Sequence, residues 1–286
     1  MSSASSDASA GTIAPGAALG DALRAHWPEC LMEAALLGLF MVSAATFGTL
    51  LEHPDSPLRA ALPLATARRV LMGLVMGTTA AALIYSPWGR RAGAHMNPSV
   101  TLTFLWLGKI APADALFYVL AQFAGGALGV VVARLTIGPR LGDAAVRYVA
   151  TVPGPGGAAV AFAAETAISF ALMTVVLFAS NTPALAPLTG LFAGALVATW
   201  ITLEAPLSGM SMNPARTLGS ALPAGLFSDL WIYFIAPPLG MLAAAQGYRA
   251  WRGARAVRCA KLHHDAKRRC IFACGYMSAT APGGRA

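Results

Sequence analysis

Two stretches decide the fold: AGAHMNPSVTL (Ala92–Leu102) and SGMSMNPARTL (Ser208–Leu218). Aligned without a gap, they share six of eleven residues: Gly, Met, Asn, Pro, Thr and Leu. In each, Asn followed by Pro reads as a helix start. Asn97 or Asn213 is the N-cap, and Pro98 or Pro214 takes the first helical position, where its missing N–H costs nothing. The apolar runs that follow, Asn97–Leu107 and Asn213–Leu222, make helices of about 15 Å, half of the ~30 Å bilayer core.

Around these short segments lie six longer apolar runs. They cover about Cys30–Leu51, Val70–Tyr85, Ala113–Thr136, Ala158–Ser180, Pro187–Leu203 and Leu230–Tyr248. Most are near the ~20 residues a helix needs to cross the bilayer. Composition agrees. Of 286 residues, 57% are apolar and 11% charged, with a mean hydropathy of +0.62. A soluble domain carries about 25% charged residues to solvate its surface, so an ordinary soluble enzyme, a disordered chain and a collagen-like fibre are excluded. The net charge of +8 forms no single patch, so nucleic acid is not an expected partner.

Each half holds two spans, a short segment and a third span. Three spans separate the halves, so the second is expected to enter inverted. The sequence therefore divides into a Ser, Ala and Gly-rich flexible tail (1–29), a membrane domain (30–251, repeats 30–136 and 158–251) and a basic tail (252–286). Residues 1–29 lack the basic start and apolar run of a signal peptide. If the N-terminus is cytoplasmic, Arg24, Arg90, Arg91, Lys109 and the nine basic residues from Arg249 onward face the cytoplasm. Arg59, Arg68, Arg69, Arg134, Arg140 and Arg147 face outside. That excess predicts both termini inside.

Interrupted hydrophobic segments at matching places in inverted halves point to a site at the bilayer midplane. Irregular backbone before a helix start is tolerated inside a membrane only where it lines a cavity or is buried in protein. Loops Gly89–Met96 and Pro206–Met212 are therefore expected to line a path, and the positive ends of two half-helices to meet at its centre and disfavour cations. The Asn97 and Asn213 amides offer N–H donors to a solute there.

GAHMNPSVT (Gly93–Thr101) and GMSMNPARTLGSAL (Gly209–Leu222) resemble the paired Asn-Pro-Ala boxes of the aquaporin, or major intrinsic protein, family. The likeness extends over about Cys30–Trp251. It implies an all-α membrane protein with six transmembrane helices and two half-helices, and a homotetramer with one pore per protomer. It also implies passive conduction of water or small neutral solutes, with protons and ions excluded. No catalysis and no cofactor are implied, and the setting is a multi-pass protein of a plasma or bacterial inner membrane, in contact with lipid. Glu33 and Glu165 match the family's buried carboxylates; loop N–H groups are their expected partners, a proton relay the alternative.

The resemblance places Arg216 in the family's selectivity filter, where a cationic side chain must face a wet cavity. Ile201 falls where water-selective members carry His, Met210 at the loop position, and Met76 or Gly77 at the second-span position. His95 matches a His on the cytoplasmic side of the pore, as a loop-packing group or a protonation gate. Thr217, Ala221, Tyr233 and Phe234 depart from the glycerol-type pattern. The expectation is a water channel with a relaxed filter, open also to hydrogen peroxide or ammonia and less readily to glycerol. Ser99 stands where the box usually has Ala. Glu204 is expected to accept loop N–H bonds or to touch the outer vestibule.

In the basic tail, Cys259, His263, His264, Cys270 and Cys274 combine thiolate and imidazole types that suit zinc. Their spacing matches no common zinc pattern, and redox sensing, lipidation or an unliganded tail binding anionic lipid fit as well. A secondary transporter is the competing class. It needs coupling carboxylates at the midplane, for which only Glu33, Glu165 and Glu204 are available. No His/Asp/Glu or Ser/Lys constellation of an enzyme lies in the spans.

Overall fold

The computed structural model describes residues 19–276, and among them every regular element is helical. The long helices are α1 (Leu19–Glu52), α3 (Ala65–Tyr85), α6 (Pro112–Ile137), α7 (Gly157–Ser180), α8 (Thr189–Leu203) and α11 (Leu230–Arg252). Short α2 (Pro57–Ala61) follows α1, while α4 (Pro87–Ala92) and α9 (Ala205–Ser208) lead into the half-helices α5 (Pro98–Trp106) and α10 (Pro214–Ala224). The loops expected over Gly89–Met96 and Pro206–Met212 are thus partly helical, and only Gly93–Met96 and Gly209–Met212 are irregular.

The expected flexible tail 1–29 needs correction. Residues 1–18 lie outside the described residues, but Leu19–Glu29 is helical and extends the first span. A hydropathy run misses this stretch because it buries polar groups. His26 Nδ1 lies 2.7 Å from Asp114 Oδ1 of α6, and Arg91 Nε of α4 donates to Glu29 Oε1 at 2.9 Å.

Exchange of the two halves maps the packing onto itself. α1 packs on α6 as α7 packs on α11; α10 packs on α6 as α5 packs on α11; α3 meets α8 across the pseudo-twofold. Both described ends lie on one face, here the terminal face, where Arg269 donates to the Ala25 carbonyl at 3.3 Å. The surface is apolar, as contact with lipid requires, and the buried interior is apolar too except where polar groups pair. Leu135 (79% exposed), Leu203 (66%) and Leu31 (60%) point outward, while Glu33, Glu165 and Gln122 are completely buried.

Small residues let the spans approach closely, as the runs GGALG and GLFAGALVA suggest. A Cβ on Gly125 would stand 2.1 Å from the Ala34 carbonyl oxygen of α1, and one on Gly77 would stand 2.4 Å from that of Gly194 on α8. Neither backbone can retreat alone. We expect Gly125→Ala to destabilise the protein by roughly 1–3 kcal/mol through overpacking. Gly247→Ala, with nothing within 4 Å, should be neutral or slightly stabilising, since alanine favours a helix. Thermal unfolding in detergent distinguishes them; equal melting temperatures would contradict the close-contact reading.

Candidate pore and its central constriction

The two irregular loops repeat one backbone conformation. Gly93, Ala94 and Met96 have φ of 106°, 56° and 48°, and Gly209, Met210 and Met212 have 80°, 51° and 54°. Left-handed non-glycine residues are uncommon, so the same alternation in both loops is a shared, imposed geometry. It aims successive N–H groups at one carboxylate. Glu33 accepts from His95 N at 2.9 Å and Met96 N at 2.6 Å, and from Gln122 Nε2 at 2.9 Å. Glu165 accepts from Ser211 N at 2.6 Å and Met212 N at 2.7 Å, and from Ser208 Oγ at 2.8 Å. The bonds run from each loop to a span of its own half.

From these loops the half-helices start as the Asn-Pro reading requires. Asn97 Oδ1 accepts from Ser99 N at 2.9 Å, and Asn213 Oδ1 from Ala215 N at 3.1 Å and Arg216 N at 3.2 Å. The amide ends tie the halves together. Asn97 Nδ2 donates to the Met212 carbonyl at 2.6 Å, and Asn213 Nδ2 to the Met96 carbonyl at 2.7 Å. One N–H of each amide remains for a solute.

Both amides line a cavity of about 360 Å³. Along α3 its lining runs from Arg69 to Ile84, about 22 Å of helix rise, most of a bilayer core. Ile201, Met210, Met76 and Arg216 all line it. Gly77 does not, which corrects that alternative: it faces Gly194, at the α3–α8 contact. Met72, one turn before Met76, joins the lining, and so do Ala145–Arg147 and Val149–Ala150 of the α6–α7 connection. That connection carries three consecutive left-handed residues, Arg147, Tyr148 and Val149, and no motif in the sequence announces it. Arg216 Nη1 is buried without a protein partner, leaving a donor for a solute. Glu204 is 5% exposed and lies outside the cavity lining; the Ser208 side chain is its polar neighbour, and no loop backbone N–H is bonded to it.

His95 lines the terminal-face end of the cavity and is tightly held. Its Nε2 donates to the Ala260 carbonyl at 2.9 Å, and Nδ1 lies 3.0 Å from Thr101 Oγ1. The ring stacks between Phe104 and Phe272, with centroids 5.2 and 5.4 Å away. Two of these partners come from the C-terminal tail, beyond any reading by local motif.

In that tail, Cys259, His264, Cys270 and Cys274 converge, with one ligand atom from each all within 4.8 Å of one another. His263 is not among them, a correction to the five-residue cluster. Its ring instead packs edge-on against Tyr85, centroids 5.0 Å apart. Hydrogen bonds from Cys259 and Cys270 hold the Cys274 thiol far below the ordinary value, and those to Cys270 and Cys274 raise the His264 imidazole to about 9.

An inverted pair of half-helices meeting in a cavity that extends along most of α3 is the architecture of a broken-helix membrane channel. Residues 21–248 match the family model described as "Major intrinsic protein". The chain belongs to the major intrinsic protein family, whose members are channels, and is an integral multi-pass membrane protein. It is similar to aquaporin NIP1-1 of Arabidopsis thaliana, 35% identical over 184 residues, covering 63% of this chain and 62% of the relative. It is also similar to aquaporin NIP2-1 of Zea mays, 38% identical over 173 residues, covering 60% of this chain and 56% of the relative. The matched stretches thus span less than two thirds of these relatives. The fold resembles the aquaglyceroporin from Plasmodium falciparum, with a TM-score of 0.64 at 18% identity, over 78% of this chain and 95% of that one.

The carboxylate bonds give a direct test. Glu165→Gln replaces one acceptor oxygen with a donor facing loop N–H groups, and an orphaned buried N–H costs roughly 1–3 kcal/mol. A lower melting temperature is expected for Glu165→Gln and Glu33→Gln, and none for Asp21→Asn on the exposed start of α1. Unchanged melting of all three would remove the carboxylates from their supporting role.

Proposed function

We propose that the protein is a passive water channel that also admits hydrogen peroxide and ammonia, passes glycerol poorly, and excludes protons and ions. The meeting of Asn97 and Asn213 inside the cavity carries this reading. Each amide has one free N–H there, so a small solute with an acceptor oxygen fits. Two helix N-termini converge at the same point, and their positive ends disfavour a cation. Arg216 adds a second cationic barrier and a donor. In this reading Ile201, Met210 and Met76, which line the same cavity, complete the ring with Arg216, so it is Arg plus apolar groups and lacks a His donor. That favours a filter less strict than one built for water alone. The working unit in this reading is a homotetramer with a pore in each protomer, and both termini face the cytoplasm, as the Lys and Arg distribution favours.

A coupled transporter is disfavoured by how the carboxylates are used. Glu33 and Glu165 each spend both oxygens on loop donors, and Glu204, the third carboxylate, lies outside the cavity lining.

Stopped-flow light scattering on proteoliposomes tests the proposal. Water permeability should rise well above that of empty vesicles, with peroxide passing and no proton leak. Ile201→His should reduce peroxide and glycerol flux relative to water, and Arg216→Ala should raise glycerol flux. A proton current comparable to the solute flux would overturn the exclusion argument.

A further inference from the structure

We propose that Cys259, His264, Cys270 and Cys274 bind one zinc ion, and that this clasp holds the C-terminal segment as a cap over the terminal-face mouth of the pore. The metal site stands on its own geometry. The cap's effect on flux rests on the channel reading above.

The donor set is three thiols and one imidazole, the chemistry of a closed structural zinc site. Cys259 Sγ and Cys270 Sγ lie 3.6 Å apart, and His264 Nε2 and Cys274 Sγ 3.1 Å apart. A tetrahedron with Zn–S near 2.3 Å and Zn–N near 2.0 Å has edges of roughly 3.5–3.8 Å. Small side-chain shifts therefore bring the four atoms onto one ion. Cys259 and Cys270 are almost fully buried, and all three thiols are free.

Charge fits as well. Three thiolates and a neutral imidazole on a divalent ion total −1, with the thiol protons released to solvent. Lys261, two residues after Cys259, is 1% exposed. Its ammonium donates to the Arg90 carbonyl at 2.9 Å and the Arg269 carbonyl at 2.6 Å. A buried cation needs a nearby negative charge, which the zinc–thiolate centre supplies.

Residues 257–276 contain neither helix nor strand, so regular backbone bonding does not fix them. They nevertheless cross the face of the bundle. Arg258 N donates to Asn181 Oδ1 at 2.6 Å, Leu262 N to the Gly93 carbonyl at 3.1 Å, and Ala273 N to the Lys109 carbonyl at 3.0 Å. Tyr276 closes the strap on the Ser180 carbonyl at 2.8 Å. Within the clasp, Ala260 and Phe272 hold His95, and the Leu262 side chain lines the channel cavity. One ion joining residues 259, 264, 270 and 274 fixes the loop that presents Leu262 to the mouth.

The test is metal content of the full chain, purified with zinc chloride and dialysed, by plasma mass spectrometry, with X-ray absorption for the ligand atoms. About one zinc per chain bound through three sulfurs and one nitrogen, lost in Cys259→Ser and in His264→Ala but kept in His263→Ala, supports the site. No stoichiometric zinc, zinc retained by Cys259→Ser, or a Cys259–Cys270 disulfide in place of metal overturns it. For the cap, a membrane-permeant chelator should raise the water permeability of wild-type proteoliposomes several-fold. It should have no effect on a chain ending at Arg252, already at the higher value. Metal loss without a change in flux overturns the cap. A wild type and truncated chain that both fail to conduct would instead refute the channel reading and leave the zinc count standing.

Discussion

The structure depends on the bonding of two irregular loops inside an apolar surrounding. Backbone that is not helical must find partners within the protein at membrane depth, because lipid offers none. Glu33 and Glu165 meet that need by accepting two loop N–H groups each. Everything at the pore centre follows. The carboxylates fix the left-handed turns, the turns point Met96 and Met212 carbonyls across the path, and those carbonyls anchor the Asn amides of the opposite half. The half-helices begin where the amides stop.

Much of this was legible in the chain because it is written twice. One Asn-Pro would mark only a loop-to-helix junction; two in an eleven-residue repeat require an equivalent environment. The φ values obey the alignment residue by residue, down to His95 beside Thr101 and Ser211 beside Thr217. The second-span register was less legible, since helical rotation is not encoded by hydropathy when every residue is small or apolar. Met72, Met76 and Ala80 share one face at i, i+4 spacing and line the cavity. Gly73 and Gly77 share the neighbouring face and pack on α8.

Contacts between segments far apart in the chain were not legible at all. His26 and Glu29 look like solvated tail residues until Asp114 and Arg91 are placed beside them. The α6–α7 connection carries no motif, yet its left-handed run brings Val149 against Gly48 and into the cavity wall. The tail was legible as chemistry, through its cysteines and histidines, but not as a location. Its place over His95 depends on hydrogen bonds to Gly93, Lys109 and Asn181 that no local pattern specifies.

The arrangement of donors at the centre limits what can pass under the proposed function. Each Asn amide has its oxygen committed to the helix start and one N–H committed to the opposite loop. What remains is two donors and, from the side chains, no acceptor. A water oxygen accepting from both must turn its own hydrogens away along the path, toward the loop carbonyls on either side. Neighbouring waters are then oriented in opposite senses from this point, and a proton relay needs them aligned in one sense. Under the proposed function, the same two hydrogen bonds that join the halves of the protein would set the polarity of a water file, and a substitution at Asn97 or Asn213 would disturb fold and selectivity together.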